Sequence, residues 1–557
     1  MSRRIASLTL ALLLILALGV TPAAAAGPKT PAAPRPEAIV NYDVDGNRIT
    51  EHLDSLLASA SGGERFQVIV QWNQVMDDRA YDALARQVGP FQTEARWHDA
   101  LEGMSASLTK GQIEALARLP MVVRVEEDLP VQAFLDTATR DFGAAKARTD
   151  FGVTGNLDGS ASTYSKNDIV IAVVDTGIDA AHQDLAGKVI GWKDYVNSKT
   201  SPYDDHGHGT HVSSIAAGTG AASGGTYAGV APGAALVGVK VLNKQGSGTT
   251  TQIVNGVNWV VQNKATYNVR IMSMSLGSSG SSDGTDSIST AVNNAVTNGI
   301  VAVVAAGNSG PDRYTIGSPA AAANAVTVGA MADTGEKGFS LASFSSRGPT
   351  ADGRIKPDIA APGVNIMAAK AGTTNQYVSY SGTSMATPFV SGTVALMLAA
   401  NQGLTPAQVK SLLMSTALDW GPAGTDIDYG AGRLQAYEAV KQAGGFSGTG
   451  PAVPNHVYAS GSLGGTGQSK TYTLTVTDTG KPVALTLIIA NYTPGLFGGS
   501  PDFDLYLYSP SGAQLAASEG TARQETIGYL PTATGTYTVE VYSYSGSGSF
   551  YLDESFK

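Results

Sequence analysis

Cysteine is absent from all 557 residues, which excludes disulfides, thiolate metal sites and a cysteine nucleophile. Stability must come from packing and from any bound ions. Charge is also sparse: only 15% of residues are charged, and the net charge of −10 offers no basic face for nucleic acid. The two longest apolar runs, Leu8 to Val20 and Phe389 to Ala400, are both shorter than the ~20 residues of a membrane span. What is present is 43% hydrophobic residues, enough for real cores, in a chain long enough for three or four domains.

Arg3 and Arg4 precede the first apolar run, and Ala24-Ala25-Ala26 follows it as a small-residue cleavage site. Residues 1–26 therefore read as a secretory signal peptide and the protein as extracellular, with a membrane anchor as the alternative. The Arg3-Arg4 pair leaves the Sec and twin-arginine routes both open. Residues 27–63 read as a Pro/Ala-rich linker. From 64 to 136 the pattern is strand, helix, two strands, helix, strand, a small α+β unit. Its place between an export signal and a large domain suits a segment made to be removed. Leu129 to Asp150 reads as a connection. Over 137–443, Val/Ile/Ala runs such as Ile169 to Val174, Ala235 to Val241 and Ile300 to Ala305 alternate with helical segments. Continuous apolar strands of that kind predict a parallel sheet covered on both faces, with functional residues at the strands' carboxyl ends. Residues 444–468 turn to Gly, Ser and Pro and read as a linker. The period-two runs of 469–557 predict an all-β sandwich.

Three segments could carry chemistry. Ser384 stands in a small-residue turn before a long apolar helix, where it is either a helix cap or an exposed nucleophile. Asp175 ends a buried strand, where a carboxylate needs a partner. Three of the seven histidines, His206, His208 and His211, fall within six positions at a helix start. The Asp-Thr-Gly around Asp175 recurs at Asp333 and Asp478, which raises an aspartic-protease dyad, but a dyad explains neither the histidines nor the serine turn. His-x-His-x-x-His raises a zinc site, yet the one later histidine is His456, too few ligands. A general base taking a proton from Ser384 and oriented by Asp175 uses all three segments, and Asp, His, Ser is one of the chain orders in which such triads occur.

Ile171 to Asp179 (IAVVDTGID), His208 to Val212 (HGTHV), Ala305 to Gly310 (AAGNSG) and Gly382 to Pro388 (GTSMATP) together resemble the four signature segments of subtilisin-like serine proteases. The resemblance implies an α/β catalytic domain with a parallel sheet. Asp175 matches the orienting aspartate, His208 the general base, Ser384 the nucleophile and Asn308 the oxyanion donor. Gly246, Ser247 and Gly248, with Ser275, Leu276 and Gly277, resemble the two edges that bind extended peptide as an added strand. Gly317 matches the floor of the pocket for the residue before the cut bond, which favours large apolar side chains. His206 and His211 fall outside the base position and would be structural or rim residues.

The resemblance extends to both flanks. Arg65 to Glu127 looks like the family's ferredoxin-like propeptide, a folding chaperone and temporary inhibitor, released by self-cleavage between Glu127 and Ala138. Ser469 to Lys557 resembles the prepeptidase C-terminal domain, jelly-roll-like. There Asp502 and Asp504 are candidate calcium ligands, or solvated carboxylates. The loop Ala221 to Tyr227 lacks the Asn-rich pattern of a calcium site found in many members. Catalysis itself would need no cofactor, and the expected partners are protein or peptide substrates and the chain's own propeptide, around a monomer free of nucleic acid and, after signal cleavage, of membrane. The reading from a different class is a secreted binding protein with an inactive protease domain and an adhesive β tail.

Overall fold

The computed structural model describes residues 47–557, apart from 62, 99–100, 128–129, 134–140, 161, 334–338, 491 and 493–499. The expected signal peptide and the first part of the linker lie outside the described residues. The centre is a seven-stranded sheet in which every neighbouring pair is parallel, in the order Ile359–Pro362, Val326–Met331, Val301–Ala305, Val269–Met274, Val170–Asp175, Ala235–Lys240, Val189–Asp194. The period-two geometry of a strand distributes its apolar residues between two cores. Ile171 and Val173 join the core containing Val212, Phe389 and Val394. Val170, Ala172 and Val174 join the core containing Val254, Val257 and Val292. Helices His208–Ala217 and Thr383–Ala400 cover the first face, Thr250–Gln262 and Ser287–Thr297 the second. Thr383–Ala400 is apolar enough to cross a membrane, but 89% of it is buried inside the protein, where it serves as a core helix.

The small unit before this domain is a four-stranded antiparallel sheet, ordered Thr93–Trp97, Gly103–Thr109, Arg65–Trp72, Val122–Glu127, with two helices, Asp78–Val88 and Lys110–Ala117. The linker expected over 27–63 ends earlier than its composition suggests. Ile49 bridges to Val125, and helix Glu51–Ser59 buries Leu53 and Leu57 against Val68 and Val125. Those leucines are four apart, one helical turn, and so reach the same core. Leu129 to Asp150 is likewise more than a connection, because it holds the strand Pro130–Ala133 and the helix Ala144–Phe151.

The C-terminal region is a sandwich of two four-stranded antiparallel sheets, ordered Asn455–Leu463, Gly548–Phe556, Val483–Ile489, Gln524–Tyr529 and Ser469–Val476, Gly535–Ser545, Asp502–Tyr508, Gln514–Ser518. The strand Asn455–Leu463 corrects the linker expected over 444–468. Its Gly- and Ser-rich sequence carries little strand signal, and it is held along its whole length by pairing with Gly548–Phe556.

Candidate active site

Asp175 ends its strand at the carboxyl edge of the parallel sheet, and His208 is the first residue of its helix. The two meet with His208 Nδ1 and Asp175 Oδ1 2.6 Å apart, both side chains fully buried. A single aspartate holds the two segments in place. Asp204 accepts from Thr176 Oγ1 at 2.9 Å and from the backbone N–H groups of His206, Gly207 and Thr210. Burial pushes this carboxyl up, but those bonds outweigh it and hold it below the usual carboxylate range, ionised. Gly209 has no room for a side chain, since a Cβ there would come within 2.0 Å of the Gly177 carbonyl.

Ser384 lies in the first turn of Thr383–Ala400, where its N–H has no helical acceptor. Four residues on, Pro388 has no N–H for the Ser384 carbonyl. Ser275 Oγ fills that place at 2.6 Å, and Ser384 Oγ donates in return to the Ser275 carbonyl at 3.1 Å. Among the described residues His208 Nε2 has no hydrogen-bond partner, so this nitrogen is free to accept one. Asn308 stands in the turn after Val301–Ala305. Its Oδ1 accepts from the N–H and the hydroxyl of Thr383, each at 3.0 Å, which leaves its amide NH2 as the donor.

The expected peptide edges flank a strand of the chain itself. Pro130–Ala133 lies between Ser247–Thr249 and Leu276–Gly277, antiparallel to both, with Val131 opposite Gly248, Gln132 opposite Ser247 and Gly277, and Ala133 opposite Leu276. Gly246 turns into the first edge at φ 75°, beside His206, and Gly317 packs against the Ser278 carbonyl behind the second. Asp286, bonded to Ser318 beside Gly317, is occupied: it caps Ser287–Thr297 through Ser289 N and accepts from the hydroxyls of Ser282, Ser289 and Ser318. His211 is buried and bonded through Nε2 to the Val378 carbonyl at 3.1 Å, and burial lowers it to about 3. In the C-terminal domain, Asp502 and Asp504 share a strand. Asp504 is buried and accepts from Tyr506 OH at 3.3 Å, and no group of three or more His, Asp or Glu side chains that could hold a metal occurs among the described residues. Thus the structure brings Asp175, His208, Ser384 and Asn308 to one edge of the sheet. Asp333 follows the strand Val326–Met331 at the same sheet edge but is buried in the field of Arg433, and Asp478 belongs to the C-terminal domain, 3.8 Å from Lys557. Sequence reasoning missed Asp204, Thr176 and Thr383; the aspartate ahead of His-Gly-His-Gly was the available signal for the first.

The propeptide-like unit reaches the same domain by its open sheet face. Ile69, Trp97 and Leu101 join the core beneath Thr250–Gln262 and Ser287–Thr297, Trp97 Nε1 donates to Asn255, and Glu126 accepts from Ser287 N at 2.6 Å. Burial raises the Glu126 carboxyl to about 8, against the pull of Arg124 and with the help of Asp286.

Comparison with known proteins finds the Subtilase family over residues 166–432, Peptidase inhibitor I9 over 52–134 and the bacterial pre-peptidase C-terminal domain over 468–543. Serine protease AprX of Bacillus subtilis (strain 168) is 42% identical over 362 residues, 60% of this chain and 78% of that protein. Subtilisin E of the same organism is 34% identical over 396 residues, 70% of this chain and 93% of its own length. The thermostable alkaline protease of Halalkalibacterium halodurans is 35% identical over 338 residues, 60% and 82% of the two chains.

Proposed function

Since the chain belongs to the subtilase family of serine proteases and carries an inhibitor-type propeptide, we propose that it is a secreted, self-processing endopeptidase working through an acyl-enzyme on Ser384. Ser384 Oγ attacks the peptide carbonyl while His208 Nε2 takes its proton. Asp175 holds His208 Nδ1, fixing the tautomer and balancing the imidazolium. The oxyanion is met by the Asn308 amide and the Ser384 N–H, donors placed before the charge develops; each contributes about 2.7–4 kcal/mol. His208 returns the proton to the leaving amine, and water then frees the acyl group by the same route.

The observation that carries the reading is the strand Pro130–Ala133. The chain's own backbone occupies the cleft between Ser247–Thr249 and Leu276–Gly277 and runs toward Ser275 and Ser384. A peptide substrate binds the same edges by main-chain hydrogen bonds, so sequence selectivity is broad. On this reading self-cleavage, expected between Glu127 and Ala138, falls after Ala133, in a stretch that lies outside the described residues. Because Asp286 is fully occupied, the pocket beside Gly317 selects large apolar side chains and not basic ones. Calcium belongs to the proposal only as a stabilising ion of the C-terminal domain, with Asp502 and Asp504 as hard oxygen donors. The mature enzyme is a monomer that binds neither nucleic acid nor membrane.

Ser384→Ala tests the reading. The variant is expected to fold and to keep its propeptide covalently attached, seen by intact mass. Normal processing of that variant would overturn the serine mechanism. Casein turnover stopped by a serine-directed phosphonyl reagent and untouched by a zinc chelator separates this reading from metal hydrolysis and from an inactive adhesin.

A further inference from the structure

We propose that the C-terminal β-domain is a permanent part of the catalytic unit, with Arg523 and Gln524 acting as positioning residues for Asn308; this rests on the oxyanion role given to Asn308 above. Two segments frame Asn308. The first is its own turn, residues 307–311, and the second is the loop 341–347. They are stitched together by Ser346 N to the Gly307 carbonyl at 2.9 Å, Ser309 N to Ser346 Oγ at 3.1 Å and Gly310 N to the Phe344 carbonyl at 2.9 Å. The C-terminal domain holds both. Arg523 Nη1 donates to the Pro311 carbonyl at 3.0 Å, at the end of the Asn308 turn. Gln524 Nε2 donates to the Leu341 carbonyl at 2.8 Å, and Thr486 Oγ1 accepts from Leu341 N at 3.3 Å. Gln524 Oε1 accepts from Arg347 Nη2 at 2.5 Å, and the same nitrogen holds the Ala342 carbonyl at 3.0 Å.

The contact is also one that the catalytic domain cannot give up cheaply. Arg523 forks onto Asp428 of the catalytic domain at 2.6 and 3.0 Å, and each of the two residues is only 2% exposed. Arg347, fully buried, shares Asp428. Trp420 is covered by His456, stacked at 3.9 Å, and His456 is in turn paired with Asp553 at 2.7 Å. Loss of the β-domain would strip the Arg523 fork from Asp428, leaving only the longer Arg347 contact at 3.7 Å, and the cover from Trp420. Breaking such a pair by removing one partner is strongly destabilising.

The test uses the full chain. Purified active enzyme is expected to have an intact mass that includes Asn455 to Phe556. Arg523→Lys keeps a positive charge for Asp428 but cannot serve both carboxylate oxygens and the Pro311 carbonyl; Gln524→Leu keeps the volume without the amide. Each is expected to lower kcat by about tenfold, a fraction of the loss from ~1 Å misplacement, with KM unchanged within about twofold. Each loss should vanish in an Asn308→Ala background, because the braced group is gone. Active enzyme lacking the β-domain, wild-type kcat in both variants, or losses that add to that of Asn308→Ala would overturn the proposal. If Asn308→Ala alone left kcat intact, the oxyanion reading would fall and this proposal with it.

Discussion

The propeptide and the C-terminal domain both share buried core with the catalytic domain, yet they cover different kinds of catalytic-domain groups. Under the propeptide lie Asn255, the Thr285 carbonyl and hydroxyl, and the first N–H of helix Ser287–Thr297. Water can satisfy all of these once the propeptide leaves, as it does at most helix starts. Under the C-terminal domain lie a guanidinium, a carboxylate and an indole, Arg347, Asp428 and Trp420, all buried. Their partners there include a guanidinium fork and a stacked imidazole, and a bidentate charged pair is worth more than the single hydrogen bonds lost beneath the propeptide. The two flanks thus differ in what their departure exposes, and that difference separates a removable inhibitor from a structural member. Both contacts hold a carboxyl that burial drives to about 8, Glu126 in one and Asp426 in the other, so pH sensitivity alone does not distinguish them.

The comparison can be broken most directly at Asp428. In the Ser384→Ala proenzyme, Asp428→Ala leaves Arg347 and Arg523 buried without their carboxylate, and unfolding is expected about 3–5 kcal/mol earlier by denaturant titration. A loss below ~1 kcal/mol would make this contact no more permanent than an ordinary surface pair. Next, Trp97→Ala removes a buried ring between the propeptide and Thr250–Gln262. Amide exchange along Arg65–Trp72 should rise by about a hundredfold or more, with Val301–Ala305 unchanged; equal loosening of both strands would show that the propeptide is not a separable unit. Third, Glu126 has its carboxyl raised by docking. Docking strength is full below the ordinary carboxyl range and is lost as pH rises toward about 8, after which it levels off. After self-processing, release of the propeptide should quicken with pH over that window, by at most about tenfold per pH unit, and Glu126→Gln should flatten the profile. The smallest effect is Thr405→Ala. It removes the capping box of Pro406–Ser415, remote from both contacts, and should cost about 1 kcal/mol of stability without altering either kcat or propeptide release.

Much of the architecture was legible because the strongest signals are local. The strands Val170–Asp175, Ala235–Lys240 and Val301–Ala305 coincide with apolar runs buried on both faces, and helices alternate with them as the pattern predicts. The two edge strands were not: Val189–Asp194 carries Gly191, Trp192 and Lys193, and Ile359–Pro362 is four residues ending in proline. Pairing across long stretches of chain supplied what sequence could not. Asn455–Leu463 is a strand only because Gly548–Phe556 lies beside it, and Arg523 meets Asp428 through the docking of two domains. Of the candidate site, the four side chains that the fold brings to one edge were legible and their supports were not. Asp204, Thr176 and Thr383 act through bonds between side chains and backbone N–H groups that no residue spacing announces.

Pro388 has a consequence for motion. A proline five residues into a helix deletes one amide hydrogen, and the carbonyl left over is the one belonging to Ser384; Ser275 answers it, and the two serines exchange bonds. Helix and edge strand are thereby coupled at Ser384. On the proposed mechanism, a fluctuation that lifts Leu276–Gly277, together with any peptide paired to it, is expected to carry Ser384 in the same direction, so that the gap between hydroxyl and scissile carbonyl varies less than the position of either element.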